Sequence, residues 1–136
     1  MLKTDSKKVK LILDWCIENF GYSKYERNVP RLLVRKKGKL NYGQYCSNKN
    51  LITIRLEIHK SLLELCNTIL HEYKHYKLSS NKYTEIYLKL KAKGFSHYEI
   101  HQHHLHEQLC DAFASEWENQ CFNNLKKQLK SRKKCV

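Results

Sequence analysis

The stretch Leu62-Leu63-Glu64-Leu65-Cys66-Asn67-Thr68-Ile69-Leu70-His71-Glu72-Tyr73-Lys74-His75-Tyr76 decides how the rest of this chain is read. Leu62, Leu65, Cys66, Ile69, Leu70 and Tyr73 recur at steps of three and four, the spacing of a helix that buries one face. The five residues His71 to His75 then lie inside a rigid, half-buried element, and its two histidines, four apart, project from one side of it. Imidazoles so spaced are near enough to share one metal ion, with Glu72 beside the ion and free of the need to ligate it. In that position a carboxylate takes a proton from water the metal has acidified and later passes it to a leaving amine. The plain alternative is a pair of exposed histidines on a helix face; the apolar period around the motif and the strand ahead of it favour the metal.

That strand is Leu51 to Leu56, dense in β-branched residues and preceded by the turn-rich Ser47-Asn48-Lys49-Asn50. Arg31 to Arg35 and Leu40 to Cys46, set off by Pro30 and Lys37-Gly38, predict two more strands, arranged as an antiparallel meander. Ahead of them Val9, Ile12, Leu13, Cys16, Ile17 and Phe20 predict an amphipathic helix over 6–20, ended by Gly21. Beyond the motif, Asn81 to Lys91 and Glu99 to Leu109 read as helices interrupted by Lys93-Gly94-Phe95-Ser96, and a last helix carries Cys110, Phe113, Ala114, Trp117 and Cys121 on one stripe. The fold class expected is α+β, with a small antiparallel sheet of about three strands packed on the helix that bears His71 to His75 and further helices toward the C-terminus. One domain over 1–125 and a frayed basic tail over 126–136 complete the expectation.

A chain of 136 residues builds one modest core. Its strongest compositional bias is a net charge of +13, from 26 Lys and Arg against 13 Asp and Glu, which attracts polyanions or acidic proteins. The excess falls in several clusters, Lys7-Lys8-Lys10, Arg35-Lys36-Lys37-Lys39 and Lys126 to Lys134, so a solvated basic surface and a nucleic-acid contact both remain open. No apolar run approaches a bilayer span and no signal peptide is evident, so the reading is an intracellular (cytoplasmic) protein with no membrane partner. Cys16, Cys46, Cys66, Cys110, Cys121 and Cys135 lie far apart without a CxxC pair, the pattern of reduced thiols.

A catalytic zinc takes a third protein ligand and keeps its fourth position for water. The extended pattern HExxHxxGxxH does not apply, since Leu78 stands where its glycine would be and Asn81 where its third histidine would be. Glu107 and Asp111 supply a carboxylate pair four residues apart on one helical face: Glu107 for the metal, Asp111 to accept a hydrogen bond from the far nitrogen of a liganding histidine. Asp111 sits among Cys110, Phe113, Ala114 and Trp117, in a turn expected to be partly buried, where a carboxylate needs a partner. Rival third ligands stand in the run just before it, at His97, His101, His103, His104 and His106, with His97, His104 and His106 the principal alternatives. His97 and His101, four apart, also admit a second metal site. A histidine or a tyrosine would stabilise the oxyanion; among Tyr76, Tyr83, Tyr87 and Tyr98, the candidates singled out are Tyr76 and Tyr98.

With these residues in view the chain resembles small single-domain zinc metallopeptidases of the SprT-like and ImmA/IrrE-like kind, gluzincin-type enzymes with short versions in phages and other mobile elements. Three stretches carry the resemblance: Tyr42 to Ile54 as the strand pair leading to the active-site helix, Leu65 to Tyr76 as that helix, and His106-Glu107 to Ala114 as the helix supplying the third ligand, with Cys110 where alanine is usual. The resemblance implies a zincin-like minimal metalloprotease with a Zn2+ cofactor, held by His71, His75 and Glu107. It implies a protein or peptide substrate, either DNA-attached proteins or repressors. The SprT cysteine-based zinc module has no counterpart here.

Two function classes follow. The first is a zinc metalloendopeptidase with Glu72 as general base. The second is a basic nucleic-acid-binding protein whose histidines are structural or hold a metal without catalysis. A catalytically idle relative that binds protein through the zinc scaffold is a third, against which the presence of Glu72 speaks.

Overall fold

The computed structural model describes residues 6–36 and 42–134. In chain order the elements are α1 (Ser6–Phe20), β1 (Arg31–Arg35), β2 (Gly43–Cys46), β3 (Leu51–Arg55), a single 3-10 turn (Leu56–Ile58), α2 (Leu62–Lys77), α3 (Ser80–Ala92), α4 (His97–His103) and α5 (Leu105–Lys134). The α+β class holds. Among the described residues no helix is long and apolar enough to cross a membrane.

Helix α2 forms the centre. Its first turn is capped by Ser61, whose hydroxyl accepts the Glu64 amide, and Leu65, Cys66, Ile69, Leu70, Tyr73 and Tyr76 are sealed from solvent. They pack on α5, through Ala114, Cys121 and Leu125, and on α1, through Val9, Ile12, Leu13 and Cys16. Phe20 closes one end of this layer, its ring 5.0 Å from both Phe113 and Trp117. Gly21 ends α1 with φ +82, a conformation glycine adopts freely. The loop behind it is tied to the last turns of α2: Tyr73 donates to the Gly21 carbonyl, the Ser23 amide donates to the Tyr76 hydroxyl, and Lys77 donates to the Phe20 and Tyr22 carbonyls. Cys16, Cys46, Cys66, Cys110 and Cys121 are free thiols, as expected; Cys135 lies outside the described residues.

The sheet corrects the expected meander. Its order is β1-β3-β2: β2 pairs antiparallel with β3, but β1 runs parallel to β3 on the other side. The four-residue turn 47–50 dictates the hairpin, with Asn50 in the left-handed region at φ 47. Asn50 also places β1, because its carbonyl accepts the Arg31 amide and its side-chain amide donates to the carbonyls of Asn28 and Val29. The inner face then aligns Leu32 and Val34 with the buried Ile52 and Ile54. Of the strand expected over 40–46, residues 40 and 41 lie outside the described residues.

Two further expectations are corrected. The helix expected over 99–109 is broken at His104, whose extended backbone (ψ 125) separates α4 from α5. The tail expected to fray from Lys126 continues α5 as helix through Lys134, because Leu125 is buried and Leu129 packs on the core.

The edge strand β2 comes down closely on α2. A β-carbon at Gly43 would lie 2.8 Å from Thr68 Cγ2, 3.1 Å from Ile54 Cδ1 and 3.2 Å from the Thr53 carbonyl. Gly43→Ala is therefore expected to push β2 away from the helix and to destabilise the fold by about 1–3 kcal/mol, read as a lower urea midpoint; an unchanged midpoint would mean the strand accommodates a methyl group there.

Candidate metal centre

The helical step brings His71 and His75 to the same side of α2, their rings 5.0 Å apart. Across from them α5 presents Glu107. Its Oε1 lies 3.0 Å from His71 Nε2 and 2.8 Å from His75 Nε2, so both imidazoles meet on one carboxylate oxygen. The other oxygen, Oε2, accepts the Tyr83 hydroxyl at 2.9 Å. Asp111, one turn further along α5, takes the far nitrogen of His71, with Nδ1 to Oδ1 at 2.9 Å. The contact anticipated between Asp111 and the far nitrogen of a histidine is thus present, with one correction: the Asp111 side chain is 70% exposed rather than partly buried. It stands at the rim and reaches inward to the ring.

Glu72 is buried beside this group, its carboxylate 4.0 Å from His71 Nε2. Burial pushes its pKa up, against the pull of His71 and His75 and of a hydrogen bond from the Tyr45 backbone in β2. Burial would also raise Glu107, but the hydrogen bonds from His71, His75 and Tyr83 outweigh it and hold this carboxyl well below its ordinary range. For His71, burial works downward, and the carboxylates of Glu107, Glu72 and Asp111 override it and raise the pKa.

Donor chemistry admits one more residue. His71, His75 and Cys110 each offer a ligand atom within 4.8 Å of the others. Cys110 is fully buried, one turn beyond Glu107, and burial together with the charges of Glu107 and Glu72 pushes its thiol pKa up strongly. The sequence reading put Cys110 on the apolar stripe of the last helix, where alanine is usual, and did not count it among the metal donors; its three-residue interval from Glu107 is the signal that could have found it. A divalent cation bound by nitrogen and oxygen at ~2.0–2.2 Å in a tetrahedral set spaces its ligand atoms ~3.3–3.6 Å apart, a few tenths of an ångström wider than the 2.8 and 3.0 Å at Glu107 Oε1, so a small outward shift of these side chains fits them to a metal ion.

The remaining candidates fall into place one by one. His104 is sealed in the joint between α4 and α5: its Nδ1 accepts the His106 amide at 3.0 Å and its Nε2 lies 2.8 Å from the Tyr83 carbonyl. Both ring nitrogens are taken, so it is not a third ligand; it stacks on Tyr83, ring centroids 4.0 Å apart, and steadies the hydroxyl that holds Glu107. His97 turns to the Tyr87 hydroxyl at 3.1 Å, and buried His106 lines the cleft, its pKa lowered by burial and then by His104 and His75. Neither belongs to the cluster with His71 and His75, and no second three-ligand cluster occurs among the described residues. Tyr76 is buried with its hydroxyl accepting the Ser23 amide, and Tyr98 is 71% exposed beside Gln102, so neither reaches the centre. Tyr83 is the tyrosine that does.

A cleft of about 470 Å³ opens over the centre, walled by β2 from Gly43 through Cys46 on one side and by α3 and α4, with His97 and His101, on the other. No protein-family model matches the chain, and comparisons with curated proteins and with solved structures find no match.

The metal-free protein is expected to lose stability on both sides of a pH optimum. Glu107, with its folded pKa depressed, contributes stability present above the unfolded value of about 4.3 and lost as pH falls toward the folded value. His71, with its folded pKa raised, contributes stability present below about 6.5 and lost as pH rises through the folded value. Urea midpoints after chelation should therefore peak at roughly pH 5–6; a midpoint climbing steadily to pH 8 would contradict the paired assignment.

Proposed function

We propose that this chain is a zinc-dependent endopeptidase in which His71, His75 and Glu107 hold the metal and Glu72 is the general base. The observation that carries the reading is the convergence of two imidazole Nε2 atoms on one oxygen of Glu107, beside a buried Glu72 and under an open cleft. Imidazole lone pairs and an anionic oxygen do not face one another at 2.8–3.0 Å without positive charge between them, supplied by protons or by a cation. Two imidazoles and a carboxylate suit zinc among the common divalent ions. Bound there, zinc would acidify water and polarise a peptide carbonyl.

The chain's own groups supply the rest. Asp111 holds the His71 ring by Nδ1, leaving Nε2 for the metal, and Tyr83 holds Glu107 by its second oxygen. Glu72 receives a proton at its carboxylate from the attacking water and delivers it to the departing amine nitrogen. Glu107 is preferred to Cys110 as third ligand because it is already ionised, whereas forming a thiolate between Glu107 and Glu72 is opposed by both charges. The reading agrees with the resemblance to SprT-like and ImmA/IrrE-like peptidases, whose substrates are DNA-associated proteins or repressors.

The test is zinc content and proteolysis together. Wild type is expected to hold one zinc per chain, lost on His71→Ala, His75→Ala or Glu107→Ala and kept on Glu72→Gln, which should lower peptide hydrolysis by about 10²–10⁴-fold. A wild type without stoichiometric zinc, or a Glu72→Gln variant as active as wild type, would sink the proposal. Chelation should also lower the melting temperature by several degrees, since metal bound only to the folded chain stabilises it.

A second reading, nucleic-acid binding, is favoured by the net charge of +13 and by Lys126, Lys127 and Lys130, all exposed on the last turns of α5. It predicts DNA binding that weakens steeply with salt and survives His71→Ala; binding lost with the metal would count against it.

A further inference from the structure

Three imidazoles, rather than two, surround the same oxygen. His101 brings its Nε2 to 3.4 Å from Glu107 Oε1, from α4 and therefore from a different element than His71 and His75. Its side chain is 54% exposed, against 14% and 13% for the other two, so it reaches the centre from the solvent side of the cleft. His71 and His75 make the two hydrogen bonds to this oxygen, and His101 stands outside that pair at 3.4 Å. The two lone pairs of Oε1 are thus matched by His71 and His75, and the third ring nitrogen is close without a hydrogen bond of its own. A separation of 3.4 Å is the spacing of two ligand atoms on one tetrahedral zinc ion.

The geometry points to His101 as a fourth, displaceable protein donor to the metal ion, so that the resting centre is closed and opens when α4 gives way to an entering substrate. The inference rests on the metal-binding reading above and adds a regulated state to it. Four protein ligands make a closed zinc site, whereas three leave a place for water; a resting protein with His101 in place would be protected from indiscriminate hydrolysis. The attachment of α4 suits such a role. It is seven residues long, begins after Gly94 (φ +91), closes its own first turn through a Ser96–Glu99 capping box, and has Ile100 as its only buried side chain. Its far end hangs on the His104 joint. Moving it disturbs little of the core formed by α1, α2 and α5.

The experiment uses ¹⁵N-labelled full-length protein loaded with zinc, long-range ¹H–¹⁵N spectra of the histidine rings, and zinc affinity by chelator competition. Wild type is expected to show three metal-bound imidazole nitrogens; His101→Gln should remove one and weaken zinc binding about tenfold or more. His103→Gln, an exposed position on the same helix whose ring stacks on Phe95, should change neither. Two metal-bound imidazoles in wild type, with unchanged affinity in His101→Gln, would overturn the fourth-donor assignment and leave the three-ligand centre standing. A wild type that takes up no zinc at all would remove both.

Discussion

Placing an ionised carboxylate between two imidazoles at the crossing of α2 and α5 constrains everything around it. Glu107 is only 4% exposed and Glu72 only 7%, and two carboxylates in so little solvent are costly unless donors or positive charge surround them. The molecule answers from every side. Helix α2 gives His71 and His75, α3 gives the Tyr83 hydroxyl, and β2 gives a backbone hydrogen bond to Glu72. Each of these groups stands on a separate element, so the site is the place where the elements are held to one another.

The buried polar residues around the His71, His75 and Glu107 cluster have a structural purpose of their own. His104 spends both ring nitrogens on the backbone and stacks on Tyr83, which fixes the turn between α4 and α5 and the tyrosine that orients Glu107. Gly43 lets β2 approach α2 closely enough for the Tyr45 backbone to reach Glu72. In the same last turns of α2 that carry the histidines, Tyr73, Tyr76 and Lys77 anchor the helix to the loop after α1, leaving the histidine face free to look into the cleft.

Much of this was legible in the residues themselves, wherever the signal is local. The apolar period set α1 to 6–20 and enclosed His71 to His75 in α2, and the four-residue interval from Glu107 to Asp111 gave their shared face. Where the cue depends on distant contacts, reading along the chain goes astray. Tyr76 lies next to the motif in sequence, but the helical turn points it at Ser23. The lysine-rich tail reads as frayed by charge, although Leu125 and Leu129 keep it helical against the core. His104 reads as one more histidine in a run, and only its buried hydrogen bonds reveal a break between two helices.

By itself the sequence determined the α+β content, the helix bearing His71, Glu72 and His75, and the shared face of Glu107 and Asp111, because periodicity and short spacings dictate which side chains share a face. Only the tertiary structure decided that β1 lies parallel to β3 and which of many histidines and tyrosines face the centre. It alone brought Cys110 within reach of His71 and His75, and His101 within 3.4 Å of Glu107. Those choices depend on how α2, α3, α4 and α5 pack, and on the need of buried charge for partners, neither of which is written in any one stretch of the chain.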